Sequence, residues 1–323
     1  MEERQQISRP SHRGRALAVV VTLVGAVACG TAAPAARAPA AQDSSEQAPG
    51  SGAPQTSATD PQTTAGARTP GKTTIPGPDA EIPADATRLA AALKQTTAAL
   101  NDAIDAWSKK RKPPADLELL ALHQQRVYRY AARHPKVATR AFARLPSALA
   151  AQAKDNTAAI RELLALAHPI KPSAIFKVQP PRPAAELLGH FKRAERRFGV
   201  EWEVLAAVMF AETKFGRVKS ASYVGAQGPM QFMPATWKAY GMGGDIQDPR
   251  DAVMAAANYL RASGAPRDYQ RALHAYNPSQ AYVNAILLHA RQIKRDTRNY
   301  YAYYNWQVFV LTTAGERRLT GPR

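Results

Sequence analysis

Glu212 is the residue whose type and surroundings best fit acid–base chemistry in this chain. It follows the apolar stretch Val204–Ala211, and the pattern predicts that it lies in the last turn of a buried helix that begins near Glu201. Burial and the negative end of a helix both disfavour a carboxylate charge and raise its pKa. A carboxyl group of this kind can donate a proton and take it back near neutral pH. An isolated glutamate is more often a solvated surface group, so the neighbouring motifs decide how Glu212 is interpreted.

A glycine-rich segment follows Glu212 along the chain. Gly225 and Gly228 give the backbone the freedom to lie close to a ligand. Gln231 offers an amide that could orient either the glutamate or a sugar, although it could equally be a buried side chain bonded to backbone. Pro234 then predicts the first turn of a short helix.

The remaining elements around Glu212 are also predicted to be helices. Apolar residues recur with helical spacing over 186–198. Asp248 directly precedes a proline and is expected to cap a helix rather than to act in catalysis. Asp268 is expected to cap the next helix, and Ser279 to begin the last one. These elements predict a mainly α domain around the glutamate.

Four motifs of the chain resemble the soluble lytic transglycosylase family, whose domain is similar to goose-type lysozyme. They are Glu212 with Phe215, the run Gly225–Pro234, the tripeptide Ala275-Tyr276-Asn277, and Tyr282. Their order and their spacing along the chain both fit that family. The resemblance covers residues 184–295, roughly a third of the chain. With helices before it and an aromatic tail after it, the arrangement is similar to actinobacterial transglycosylases. Two positions depart from the family: Thr213 stands where serine is usual, and Pro229 where leucine is frequent.

The resemblance implies a lysozyme-like helical fold with a peptidoglycan groove and a reaction that uses one carboxyl group. Glu212 would protonate the bond between N-acetylmuramic acid and N-acetylglucosamine. It would then take the proton of the muramic acid 6-hydroxyl as that oxygen closes on the anomeric carbon, which gives a 1,6-anhydromuramyl end. By the same resemblance Tyr276 would hold the acid and Asn277 the acetamido group. The substrate-binding residues expected in this way are Gln231, Tyr276, Asn277, Tyr282, Thr213 and Met230.

The first 28 residues have the pattern of an export signal. Arginines precede an apolar run over 16–28, which is shorter than the roughly 20 residues that span a bilayer. Ala26-Val27-Ala28 fits a cleavage site, and the only cysteine, Cys29, follows it. The arrangement resembles a bacterial lipobox in which Cys29 carries the lipid, although Ala26 stands where leucine is usual. Secretion with cleavage before Cys29 is the alternative.

The chain is predicted to divide into six parts. After the signal at 1–28, residues 29–83 are rich in Ala, Pro, Gly, Ser and Thr and predict a flexible tether, since they cannot bury enough apolar surface to fold. Apolar residues at helical spacing predict a small helical domain over 84–168, with Asp85 as its first N-cap. The other parts are a proline-rich connector at 169–183, the lysozyme-like transglycosylase domain at 184–295 and a C-terminal extension at 296–323.

The C-terminal extension is unusually aromatic. Its segment Trp306–Leu311 has strand-like propensity, so the expected fold class is mainly α with a short aromatic, β-like tail. The aromatic residues either pack over the catalytic domain or stack on sugars at the groove. They are Tyr300, Tyr301, Tyr303, Tyr304, Trp306 and Phe309.

Charge and cysteine content narrow the expected partners. A net charge of +18 would draw an exported protein to polyanions, although scattered basic residues also serve general solubility. The expected partners are peptidoglycan glycan strands and, through a lipid on Cys29, a membrane. No nucleic-acid recognition motif accompanies the charge, so no nucleic acid is expected. One cysteine and dispersed histidines predict no disulfide within the chain, no metal and no cofactor.

Two other functions stay open. A hydrolytic muramidase would need a second carboxylate, Asp245 or Asp248, about 6.5–9.5 Å from Glu212 to activate water. A non-catalytic wall-binding or scaffold protein would use the helical domain and the basic surface, and it would not depend on Glu212.

Overall fold

The computed structural model describes residues 75–323. The predicted export signal, Cys29 and most of the predicted tether lie outside these residues. Within them the chain forms eleven α-helices and one two-stranded antiparallel sheet. This architecture confirms the predicted fold class, which is mainly α with a short β segment near the C-terminal end.

Four helices precede the proline-rich connector. Asp85 caps the first as predicted, since its side chain accepts hydrogen bonds from the backbone N–H groups of Thr87 and Arg88 and so satisfies two donors that a helix start leaves open. The other three begin at a proline or directly after one. The four are α1 (Ala86–Ala106), α2 (Ala115–Arg133), α3 (Pro135–Phe142) and α4 (Ser147–Ala165).

Six helices lie between the connector and the C-terminal extension. Gly199, with φ 70°, ends the first of them in the left-handed conformation that glycine adopts without steric cost. Asp248 accepts from the backbone N–H groups of Arg250 and Asp251, which confirms its predicted role as a cap. The six are α5 (Ala184–Phe198), α6 (Trp202–Thr213), α7 (Pro234–Tyr240), α8 (Pro249–Ala262), α9 (Tyr269–Tyr276) and α10 (Gln280–Arg295).

The C-terminal extension forms a helix before it forms a hairpin. Its elements are α11 (Arg298–Asn305), β1 (Phe309–Thr312) and β2 (Gly315–Arg318). The four tyrosines of the extension therefore lie on a helix, and the strand begins later than the predicted Trp306. Tyr300, Tyr303 and Trp306 are buried, as expected of aromatic residues that pack on the domain rather than stack on a sugar.

Helix α6 lies at the centre of the described fold. Every residue of α6 except Glu203 is buried. A helix that is apolar on all sides has to be enclosed by others, and α5, α8, α10 and α11 pack around this one. Helix α10 also packs against α4, so the helices before the connector share the core with those after it. The C-terminal end of α6 carries Glu212.

The proline-rich connector lies beside the turn that follows α6. Val178 pairs with Val218 in an antiparallel bridge, and the Gln179 Nε2 donates to the carbonyl oxygen of Gly216 at 2.9 Å. Arg317 of the hairpin donates to two carbonyl oxygens on the other part of the connector, those of Pro172 and Ala174. The connector is thus bonded both to the turn after Glu212 and to the C-terminal hairpin.

None of the helices in residues 75–323 combines the length and the apolar character needed to cross a membrane.

Candidate active site

Glu212 lies in the last turn of α6, as predicted, and is only 4% exposed. The helix ends because Lys214, Phe215 and Gly216 adopt left-handed backbone, with φ of 51°, 59° and 79°. This conformation is unfavourable for residues that carry a Cβ. Two such residues in succession mark local strain directly beside the glutamate, a feature that clusters at functional sites.

Burial raises the pKa of Glu212 from 4.5 to about 8. The Tyr282 hydroxyl, which donates to Oε1 at 2.8 Å, and the Lys214 ammonium both act in the opposite direction. Burial outweighs them because removing a carboxylate from water is costly. The direction is the one the sequence predicts, and Glu212 holds a proton that it can donate at neutral pH.

The loop that follows the site is closed by a tight backbone turn. Gln227 and Phe232 exchange two backbone hydrogen bonds of 2.8 Å each. Gly228 lies between them with φ 74°, and a Cβ at this position would collide with the backbone carbonyl of Ile246. Only glycine fits there, both in conformation and in space. The group that Gly228 approaches is the Ile246 carbonyl, and the close approach to a ligand expected of this turn stays a prediction.

Two tyrosines near Glu212 have different partners. Tyr282 of α10 is buried and donates to the Glu212 carboxyl group. Tyr276, at the end of α9, donates instead to the carbonyl oxygen of Met230 at 2.6 Å. Tyr282 therefore contacts the acid directly, and the expectation that Tyr276 holds the acid stays a prediction. Burial, and then the nearby Glu212 charge, raise the pKa of both tyrosines well above the ordinary value, so both remain hydrogen-bond donors.

Gln231 and Asn277 occupy different depths. Gln231 is half-buried, has a left-handed φ of 50° and donates from Nε2 to the carbonyl oxygen of Gly228 at 2.9 Å. The Gln231 amide is thus bonded to backbone, which was the alternative to its orienting the glutamate or a sugar. Part of the side chain stays at the surface. Asn277 caps the end of α9 and is 1% exposed. Of the two predicted substrate-binding amides, Gln231 is the one a ligand reaches without rearrangement.

Thr213 and Met230 are both fully buried, which differs from their expected place along a substrate groove. The Thr213 hydroxyl donates to the carbonyl oxygen of Pro229 at 2.6 Å and accepts from the backbone N–H of Gly216 at 2.9 Å. Met230 presents its carbonyl to Tyr276 and its side chain to the core. These two residues tie the loop to the end of α6, and the ligand contact expected of them stays a prediction.

Lys214 is a second buried ionisable group that sequence analysis did not single out. It is 3% exposed, and its Nζ donates to the carbonyl oxygen of Phe210 at 2.9 Å and lies 4.0 Å from the centre of the Phe210 ring. Burial lowers the pKa of Lys214 to about 7, with the charge on Glu212 opposing this shift. A lysine after a helix end is usually solvated, so no pattern in the sequence marked it.

The two aspartates that a hydrolytic reaction would need have other contacts. Asp248 caps α8, and the Asp245 Oδ1 accepts from the backbone N–H of Gln247 at 2.8 Å. Glu212 is therefore the one carboxyl group that the structure places in this buried setting with Tyr282.

A search for metal ligands gives no candidate in residues 75–323: no three His, Cys, Asp or Glu side chains are grouped so that they could hold an ion. The chemistry available here is that of a protonated carboxyl group, two tyrosine hydroxyls and two amides. Such a set can transfer a proton and orient a neutral polar ligand.

Comparison with known proteins gives a match to a family model for the segment that holds this set. No curated protein and no solved structure matches the chain significantly. One family model does match, over about a third of the chain, and the domain it describes is lysozyme-like and helical. Residues 189–298, the segment that holds Glu212, Gln231, Tyr276, Asn277 and Tyr282, match the family model of the transglycosylase SLT domain.

Proposed function

We propose that this protein is a peptidoglycan lytic transglycosylase that uses Glu212 as its single acid and base. The observation that carries the proposal is the buried Glu212 carboxyl group, with a pKa of about 8 and its Oε1 bonded to Tyr282, within a segment that matches the transglycosylase SLT domain. A group that is protonated at neutral pH and close to its pKa can act as acid and then as base in one catalytic cycle.

The reaction needs two proton transfers at the same carboxyl group. In the first, protonated Glu212 gives its proton to the oxygen that joins N-acetylmuramic acid to N-acetylglucosamine, and the bond from that oxygen to the anomeric carbon breaks. In the second, the Glu212 carboxylate takes the proton of the muramic acid 6-hydroxyl while that oxygen bonds to the anomeric carbon. The enzyme returns to its protonated state, and no water is consumed.

The surroundings of Glu212 support this route over hydrolysis. Retaining and inverting hydrolases both use a pair of carboxyl groups, whereas Asp245 and Asp248 hold backbone N–H groups. Tyr282 is placed to stabilise the carboxylate between the two steps, since a hydroxyl donor favours the charged form. Gln231 at the surface and Asn277 below it are proposed to bind the sugar, with Tyr276 holding the loop.

Analysis of the products of purified peptidoglycan tests the proposal. The full chain is expected to release muropeptides that end in 1,6-anhydromuramic acid, identified by mass spectrometry. Glu212→Gln keeps the shape and the Tyr282 contact but cannot transfer the proton, and the loss expected for removal of a general acid is about 10²–10⁴-fold. Glu203→Gln, on the same helix and away from Tyr282, serves as the matched control and is expected to retain activity.

Two results would contradict the proposal and identify an alternative. Products with free reducing ends would indicate a hydrolytic muramidase. Equal behaviour of the parent protein and Glu212→Gln in every assay would indicate a non-catalytic wall-binding protein.

The proposed substrate places the protein outside the cytoplasm, in agreement with the export pattern of residues 1–28. The lipid on Cys29 and the resulting membrane tether stay predictions, because these residues lie outside the part of the chain that the structure describes. Mass spectrometry of the mature N-terminus would distinguish a lipid-modified Cys29 from plain cleavage before it.

A further inference from the structure

A large cavity lies apart from Glu212, at the junction of the connector, the α1–α2 loop and the C-terminal tail. Its volume is about 670 Å³, within the range of about 300–1,000 Å³ that small-ligand sites occupy. None of Glu212, Gln231, Tyr276, Asn277 or Tyr282 lines it. The reaction proposed above therefore gives this cavity no role.

Arg217 is the most buried charged group in the wall of this cavity. It is 5% exposed, its Nη1 donates to the carbonyl oxygen of Lys214 at 3.2 Å, and its guanidinium lies 5.3 Å from the centre of the Tyr304 ring. Among residues 75–323 no carboxylate forms an ion pair with Arg217. A buried cation without an ionic partner is unfavourable, and a guanidinium favours the bidentate geometry of a carboxylate or phosphate.

The other charged groups give the cavity a positive balance. Arg111, Lys112 and Arg323 line it together with Arg217, whereas Glu118 is the one carboxylate side chain in its wall. Glu118 forms no ion pair with Arg217, although the charge on each favours the charged form of the other, and burial raises the pKa of Glu118. Four cationic side chains thus face one carboxyl group, so an anion fits the cavity better than a cation.

The apolar part of the wall indicates which uncharged groups an anionic ligand would have. Besides the Tyr304 ring and Leu319, the wall contains four prolines, whose rings are rigid and lose little conformational freedom when a ligand binds. A bare inorganic anion would leave these surfaces without a partner. A ligand that joins carboxylates to short aliphatic groups uses both parts of the wall. The four prolines are Pro113, Pro180, Pro181 and Pro183.

We propose that this cavity binds a short peptide with free carboxylates and, resting on the function proposed above, that its ligand is the acidic peptide attached to peptidoglycan strands. Arg217 pairs with one carboxylate, Arg111 and Lys112 attract the peptide from the rim, and the prolines and Tyr304 contact its aliphatic groups.

The cavity also has a physical connection to the turn after Glu212. Gln179 and Pro180 belong both to its wall and to that of a neighbouring cavity of about 360 Å³, which is lined by Gly216, Gly228 and Pro229 among others. Gln179 itself donates to the carbonyl oxygen of Gly216. A peptide held in the larger cavity would therefore lie beside the segment that supports the glutamate, as expected if peptide and glycan of one strand are bound together.

Calorimetric titration of the full chain carrying Glu212→Gln, which separates binding from cleavage, tests the proposal. The probe is the synthetic tetrapeptide Ala-γ-Glu-Lys-Ala with a free C-terminal carboxylate. The double variant Arg111→Ala/Lys112→Ala is expected to weaken binding by at least tenfold. Its matched control, Lys110→Ala/Lys136→Ala, removes the same charge from exposed positions outside the cavity. This control is expected to bind the tetrapeptide as tightly as the chain that carries Glu212→Gln alone. Equal affinities for the two double variants would overturn the proposal.

Arg217→Lys adds a test of the buried site, with circular dichroism to confirm folding. Lysine keeps the charge and loses the bidentate donor pair, so the tetrapeptide is expected to bind at least fivefold more weakly. Inorganic phosphate, titrated alone, is expected to bind more weakly than the peptide; equal or tighter binding would indicate a phosphate site and overturn the peptide assignment.

Failure of this inference is distinguishable from failure of the proposed function. If the parent protein forms anhydro products but the tetrapeptide binds no better to the parent than to Arg111→Ala/Lys112→Ala, the cavity assignment alone is overturned. If the peptide binds as expected and no anhydro products form, the proposed reaction is wrong, and the cavity around Arg217 stands as a peptide-binding site.

Discussion

Glu212 and Lys214 are two buried ionisable groups at the same end of α6, and they lie in contrasting surroundings. Glu212 is on the polar side, where Tyr282 donates a hydrogen bond to its carboxyl group. Lys214 is on the aromatic side, against the ring and carbonyl oxygen of Phe210. Burial moves both groups toward the neutral form, which raises one pKa and lowers the other. Burial is thus the main cause of both pKa shifts. The neighbours differ, and only Glu212 of the two has the Tyr282 hydroxyl as a hydrogen-bond donor.

The aromatic side contains a further polar residue that is poorly satisfied. His289 of α10 is fully buried, with ring centroids of Phe210 and Tyr303 at 4.9 and 5.0 Å. Neither ring nitrogen has a hydrogen-bond partner among the described residues, and burial lowers the pKa of His289 to about 3. The unsatisfied nitrogens of His289 thus cost stability on the aromatic side. Near the loop, in contrast, the hydroxyls of Tyr282, Tyr276 and Thr213 all donate a hydrogen bond.

The largest effect on stability is expected for Glu212→Gln. Because the folded-state pKa of about 8 exceeds the unfolded value of 4.5, the native state binds the proton more tightly, and its stability falls as pH rises from 4.5 through 8. At about 1.4 kcal/mol per pKa unit, the variant should gain up to about 5 kcal/mol above pH 8 and nothing below pH 4. Denaturant titrations at pH 4, 7 and 9 measure this difference, and a constant difference across pH would contradict the raised pKa.

Lys214→Met should show the opposite pH dependence. The folded-state pKa of about 7 lies below the unfolded value of 10.5, so the cost of the buried ammonium is fully present below pH 7 and disappears as pH rises through 10.5. The gain is expected to reach up to about 5 kcal/mol at low pH and to vanish above pH 10.5. Thermal unfolding of parent and variant between pH 6 and 10 measures the trend. Curves that stay parallel would show that Lys214 keeps an ordinary pKa.

Tyr282→Phe and Tyr276→Phe form a matched pair that tests which hydroxyl serves the acid. Loss of the Tyr282 hydroxyl removes a donor to the carboxylate, worth about 1.5–3 kcal/mol, so activity should fall about 10–100-fold. Because that donor lowers the pKa of Glu212, the basic limb of the pH–rate profile should move to higher pH. Tyr276→Phe frees the Met230 carbonyl and should lower activity without moving this limb. An equal shift in both variants would contradict the assignment.

The smallest effect is expected for His289→Leu. Leucine fills the aromatic pocket without unsatisfied nitrogens, so the free energy of unfolding at pH 7 should rise by about 1 kcal/mol. Since the folded pKa of about 3 lies below the unfolded 6.5, the parent loses stability as pH falls from 6.5 towards 3, and the variant should lose less. Chemical denaturation at pH 4 and pH 7 provides the comparison. A variant that is less stable at both pH values would show that the ring is needed for packing.

Most helices around the site are predictable from local patterns. The caps at Asp85 and Asp248 and the helix end at Gly199 follow from backbone requirements that involve only a few neighbouring residues. The apolar stretch before Glu212 similarly predicts burial and a raised pKa. The C-terminal extension was the least predictable part, since its tyrosines have weak helical preference and form α11 because the core around α6 accepts their rings.

The sequence by itself determined which carboxyl group could act, because a glutamate at the end of an all-apolar helix is desolvated wherever that helix packs. It also predicted a glycine turn at Gly225–Gly228, whereas the collision of a Gly228 Cβ with the Ile246 carbonyl depends on the tertiary structure. Only the tertiary structure decided that Tyr282 donates to the acid and Tyr276 to the Met230 carbonyl, and that Thr213 and Lys214 are enclosed. Those contacts depend on how α9, α10 and the loop pack against the end of α6, and packing between segments far apart in the chain leaves no periodicity in the sequence.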